Sequence, residues 1–132
     1  MVKIVLDTNL LVAGRWNKRS SSSKILELCL KGTLTPVYTS EIKKENLYIL
    51  GKVKPPKEYM DMIGKFYKKG KRVKSPKNRI TASVDKSDNR FLEAAVSGRA
   101  DYVISNDHHL LDLKEYDGIR ILRPAAFMRM FP

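Results

Sequence analysis

The chain of 132 residues has one cysteine, one tryptophan and no run approaching the roughly 18 apolar residues that a membrane-spanning helix requires. A disulfide within the chain is therefore excluded. The lone Cys29 sits in the apolar pattern Ile25, Leu26, Leu28, Cys29, so it reads as a small buried hydrophobe without metal-ligand spacing. No glycine-rich phosphate loop ending in Lys-Ser/Thr occurs, and Asp7-Thr8-Asn9 lacks the second acid, two residues on, that an aspartyl phosphotransferase wants. Negative charge is also scarce: 14 Asp and Glu stand against 26 Lys and Arg, a formal charge of +12. Such an excess favours encounters with polyanions and supplies sequence-independent phosphate contacts. A lysine-rich solubilising surface has the same composition, so position has to decide between them. The opening Met1 to Asp7 places a carboxylate where a signal peptide would continue its apolar region. The expectation is a cytoplasmic protein with no membrane association.

What is present is a foldable pattern. Hydrophobic residues make up 42% and charged residues 30%, and the length fits a single domain over residues 1–132. Val2 to Leu6 reads as a buried strand ending at Asp7, with Thr8-Asn9 as capping chemistry for a short helix through Leu10, Leu11 and Val12. Ser20 to Ser23 cap a second helix that stops at Gly32, and a strand fits Leu34 to Tyr38. Thr39-Ser40 then start a helix that carries Glu41 and Glu45, with Gly51 as its stop, and Pro55-Pro56 open another. A basic stretch from Lys68 to Lys86 reads as a mobile loop around a short strand at Arg72-Val73. Asp88 caps the next helix, which Gly98 ends before the strand Tyr102 to Ser105. Asn106-Asp107 follow directly; a helical turn near Leu110-Leu111, a strand Ile119 to Leu122 and a helix opened by Pro124 complete the chain.

Strands alternating with helices predict an α/β fold, a three-layer α/β/α sandwich around a mainly parallel central sheet. Ligands in such folds bind beyond the carboxyl ends of the strands, where strand order reverses. Asp7 and Asp107 both follow predicted strands, and Asp88 opens a helix at the same end. With Glu45 they form a plausible oxygen cage for Mg²⁺ or Mn²⁺. Such ions activate water and neutralise charge on a phosphate, as in nucleases. Taken singly, each acid also fits an ordinary turn, cap or solvated helix face; their convergence in a very basic chain is what points to chemistry. Around them, Asn9, Arg15, Lys71, Arg72, Lys74, Lys77 and Arg79 are the candidate nucleic-acid contacts. Trp16, beside Arg15, suits either base stacking or packing. The adjacent His108 and His109 are expected to diverge and to serve as surface polar groups.

Four segments carry a resemblance. Val5-Leu6-Asp7-Thr8-Asn9-Leu10-Leu11-Val12 resembles the opening motif of the PIN-domain family, the nucleases typified by the VapC-type toxins of toxin–antitoxin pairs. Thr39 to Glu45, Asp88 to Ala95 and Ala100 to Asp107 are similar to the family's second, third and fourth motifs, in the family's order. Gly118 to Phe127 resembles the close of its prokaryotic subgroup. The resemblance implies a Mg²⁺- or Mn²⁺-dependent endoribonuclease acting on RNA. It further implies a homodimer and restraint by a small antitoxin protein that plugs the acidic site. A PIN-fold RNA-binding or assembly module without turnover is the alternative. Two departures stand out. Many relatives carry another acid where this chain has His109, and Glu41 competes with Glu45 for the inward position one turn away.

Overall fold

The computed structural model describes residues 1–14 and 17–131. Arg15 and Trp16 lie outside the described residues. In chain order the elements are β1 (Val2–Leu6), α1 (Thr8–Ala13), α2 (Ser21–Leu30), β2 (Leu34–Tyr38), α3 (Ser40–Val53), α4 (Lys57–Lys69) and β3 (Lys71–Arg72). After them come α5 (Lys86–Gly98), β4 (Tyr102–Ile104), α6 (His108–Leu111), β5 (Glu115–Tyr116), β6 (Ile119–Leu122) and α7 (Pro124–Met130).

The strands form one sheet in the order β3-β2-β1-β4-β6-β5. Every pairing is parallel except β5 with β6, so the predicted mainly parallel α/β/α sandwich is what forms. β1 is central because its consecutive residues Ile4, Val5 and Leu6 are all apolar, and a strand covered by helices on both faces has no polar side to offer. Ile4 and Val5 are at most 1% exposed. From β1 the chain adds β2 and β3 on one side and β4 and β6 on the other, so strand order reverses between β1 and β4. The crevice expected at such a reversal lies beyond Leu6 and Ile104, where Asp7 and Ser105 follow.

Helix α5 packs on β1, β2 and β4, and Gly98 lets its last turn approach: a Cβ there would lie 2.3 Å from Val37 Cγ1. Gly98 is the last residue of α5, as expected, and it is also a contact residue. The chain leaves α5 at Arg99, in the left-handed region at φ 52°. Gly51, by contrast, is not the stop expected of it; α3 runs through it to Val53 and ends at Lys54, φ 47°. Its helix-weakening effect of about 1 kcal/mol is offset by the full burial of Leu50, and Pro55 supplies the stop because a proline disfavours helix at the residue before it. The hairpin β5–β6 was not expected. Its sign was Asp117-Gly118, at φ 52° and 79°, the positive pair that a two-residue hairpin turn demands. The third strand is shifted by one residue from Arg72-Val73 to Lys71–Arg72.

Candidate active site

Asp7 leaves β1 with its backbone N–H still donating to Ile104 O (3.0 Å), which fixes it against β4. Its carboxylate, not Thr8 or Asn9, caps α1: Oδ1 accepts from Asn9 N at 3.1 Å. The other oxygen, Oδ2, accepts from Ser105 Oγ at 2.6 Å. The side chain is 4% exposed, and burial, ahead of every other influence, raises its pKa. The Ser105 and Asn9 hydrogen bonds oppose that rise.

Ser105 joins two acids. While donating to Asp7 it accepts from Asp107 N at 2.9 Å. Asp107 in turn caps α6, Oδ1 accepting from His109 N at 2.9 Å. Nothing in composition singles out Ser105; the signal was its place, two residues before a strand-end aspartate, where a hydroxyl can bond the backbone two residues on.

Asp88 is not the cap it was expected to be. The cap of α5 is Asp85, whose Oδ1 accepts from Ser87 N at 3.0 Å and from Ser87 Oγ at 2.6 Å. Asp88 lies one turn in, 4% exposed, and its Oδ2 has no hydrogen-bond partner among the described residues. Burial first, then the neighbouring Asp107, push its pKa up to about 7. One carboxylate oxygen from each of Asp7, Asp88 and Asp107 lies within 4.8 Å of the other two. An orphaned buried oxygen on a carboxylate grouped with two further acids is costly to keep unpaired. It suits a hard dication, whose preferred donors are carboxylates and water. The donor set fits Mg²⁺ or Mn²⁺.

Glu45 is not in that group. Its Oε2 pairs with Arg90 Nη1, while Arg90 Nε reaches Glu41 at 3.0 Å. Arg79 forms the other half of the network, Nη2 lying 3.2 Å from Glu41 and 2.9 Å from Glu93. Glu93, 3% exposed, escaped the sequence reading. It accepts from Arg79 Nε and from Ile80 N, both at 2.9 Å, and so ties the basic loop to α5. Ser83 does the same through Asn89, with Ser83 N donating to Asn89 Oδ1 at 2.8 Å. The segment expected to be mobile is therefore anchored at both Arg79-Ile80 and Ser83.

Next to Glu45 a buried polar chain seats α3. Thr8 Oγ1 donates to Asn46, and Asn46 Nδ2 donates to Tyr67 Oη at 2.8 Å. Burial pushes the Tyr67 phenol up to about 12. Of the candidate nucleic-acid contacts, Asn9, Lys71, Arg72, Lys74 and Lys77 are exposed, and Arg79 is held by Glu41 and Glu93. Arg72 and Lys74 line a cavity of about 520 Å³ with Thr39, Ser40 and Glu41, at the start of the helix that carries Glu45. Arg15 lies outside the described residues. His108 and His109 do not diverge as expected: opening a helix of four residues, their rings lie 4.0 Å apart between centroids at 41°.

The family model of the PIN domain matches residues 3–109, a span that includes Asp7, Glu45, Asp88 and Asp107. The chain belongs to the PIN-domain family. No curated protein shows a significant match. PIN domains are generally nucleases, and this one has the acidic cluster that a divalent metal can use. No helix among the described residues is long and apolar enough to cross a membrane.

Proposed function

We propose that this PIN domain is a Mg²⁺- or Mn²⁺-dependent endoribonuclease. The observation that carries this reading is the group Asp7, Asp88 and Asp107 at the strand-order reversal, with Asp88 Oδ2 buried and unpartnered among the described residues. These three aspartates would hold the cation, which supplies Lewis acidity to the scissile phosphate and to water. Ser105 fixes the relative position of Asp7 and Asp107. Asp88, whose carboxyl is pushed up to about 7 by burial and by Asp107, would release any proton it holds to a bound cation. The exposed Lys71, Arg72, Lys74 and Lys77 present positive charge to the RNA backbone, with Asn9 beside the acids. Glu45 is a reserve ligand, available only when Arg90 lets it go.

A toxin role, a small antitoxin protein partner, a homodimer and a cytoplasmic location extend this reading. The ion pairs that neutralise Glu45 and Glu41 favour the second reading, a module that binds RNA without turnover. Incubating the protein with labelled RNA pools in Mg²⁺, Mn²⁺ or EDTA, beside Asp7→Asn, decides between them. Metal-dependent cleavage lost in Asp7→Asn supports the nuclease; RNA retention without cleavage under every metal supports the module.

A further inference from the structure

Asp107 belongs to two groupings. One is the all-aspartate cluster; the other is Asp107, His108 and His109, whose ligating atoms also lie within 4.8 Å of one another. The two differ in chemistry. Carboxylates alone suit Mg²⁺, whereas imidazole nitrogen beside a carboxylate suits zinc and its transition-metal neighbours. A zinc ion binds nitrogen and oxygen donors at about 2.0–2.2 Å, so the three donors must close in by rotation. His108 is exposed, and Asp107 and His109 are half-buried, so these rotations meet little packing. No thiol competes, since the one cysteine is fully buried.

We propose that Asp107, His108 and His109 form a second cation site, selective for an imidazole-binding transition ion such as Zn²⁺. Filling it draws Asp107 away from the three-aspartate cluster. The binding claim stands by itself; its consequence, inhibition by Zn²⁺, rests on the nuclease reading.

The probes are Zn²⁺ and Mg²⁺ alone, titrated into the full chain and into His108→Gln, His109→Gln and the double variant. Each substitution should weaken Zn²⁺ by at least the roughly 10–100-fold that losing even an outer partner costs a metal site, with Mg²⁺ affinity unchanged. A double variant that binds Zn²⁺ as tightly as wild type overturns the proposal. A second measurement needs no variant: the chain has only two histidines, so their modification by diethylpyrocarbonate reports this site alone. Zn²⁺ should protect both, and Mg²⁺ neither; equal reactivity with and without Zn²⁺ also overturns the proposal. Where the protein cleaves RNA in Mg²⁺, added Zn²⁺ should inhibit wild type and spare the double variant. Failure to cleave in any metal would sink the nuclease reading and leave the protection result to judge the site.

Discussion

Asp88→Asn should make the cation-free protein more stable, and by an amount that grows with pH. Asp88 carries its proton in the folded state up to about 7, against an ordinary 3.8. Its folded pKa is raised, so the folded state binds the proton more tightly than the unfolded one. Below the unfolded value both states are protonated and nothing is lost. Between 3.8 and about 7 the unfolded chain ionises first and stability falls with rising pH; above that window the penalty is constant. A rise of this size has a ceiling of about 4 kcal/mol at 1.36 kcal/mol per unit. Two effects lower what the variant recovers. Water and a rotating, half-buried Asp107 relieve part of the repulsion, and a charge in the first turn of α5 is worth about 0.3–1 kcal/mol against the helix dipole. A net gain of about 1–2 kcal/mol remains above neutral pH, or roughly 3–8 °C in Tm for a domain of this size. Asn also keeps the shape of the side chain and brings an N–H donor to an acceptor-rich pocket.

The assay is thermal melting in EDTA at pH 4, 5.5 and 8 for wild type and Asp88→Asn. The curves should nearly coincide at pH 4 and separate progressively. Adding Mn²⁺ at pH 8 should close or reverse the gap, because a ligand at 100 times its Kd stabilises the native state by about 2.7 kcal/mol and the variant binds it less well. A gap that is independent of pH, or a variant that melts lower than wild type at pH 8 in EDTA, would refute the reasoning and remove Asp88 from the cation site.

Mg²⁺ or Mn²⁺ affinity, measured calorimetrically, should fall about tenfold per pH unit below 7, since the cation must displace the Asp88 proton; a flat profile from pH 5.5 to 8 would contradict this. Ser105→Ala leaves the Asp7 carboxylate and the Asp107 N–H each short of a buried partner, so urea unfolding should report a loss of about 1–3 kcal/mol and cleavage should fall with it. Replacing Lys71, Arg72, Lys74 and Lys77 with Ala should reduce the log–log salt slope of RNA binding by roughly 0.7 per lost phosphate contact; an unchanged slope would make this a solvated surface. Gly98→Ala drives a Cβ to 2.3 Å from Val37 Cγ1 and should destabilise by about 1–3 kcal/mol through overpacking. A melt equal to that of wild type would show that α5 and β2 can separate freely.

The frame of the site was legible because it depends on local pattern. Val2 to Leu6 and Ile119 to Leu122 are short apolar runs bounded by polar turns, and both strands form with those bounds. Asp7 and Asp107 could be placed after strands by counting residues. What failed were readings that depend on which of two nearby groups wins. Asp85 and Asp88 are three residues apart, and either can open a helix; the structure gives the cap to Asp85, which has Ser87 to hold, and buries Asp88. Glu45 was correctly put on a helix, but its partner Arg90 comes from α5 and meets it only through tertiary packing. Glu93 and Ser105 were missed for the same reason: their roles exist only between elements. His108 and His109 were judged by the geometry of a long helix, whereas they open one of four residues.

The partition of the acids explains how a chain of charge +12 keeps a cation site. Glu41, Glu45 and Glu93 each face an arginine, so their charge is matched within the protein and used to fasten the basic loop and α5. Asp7, Asp88 and Asp107 face no lysine or arginine within ion-pair distance among the described residues, and two of them have raised pKa values. Of these two groups, only the second has carboxylates without an ion pair among the described residues to offer a dication. The boundary between the two groups is Arg90. Asp7 already feels the charge of Glu45, so a Glu45 released from Arg90 would add its charge to the aspartate cluster rather than to the solvent. Placing a fourth carboxylate there without a further cation would deepen the repulsion that already raises Asp88. The Arg90 pair therefore sets the present site at three acids, and Glu45 joins it only at the cost of that ion pair.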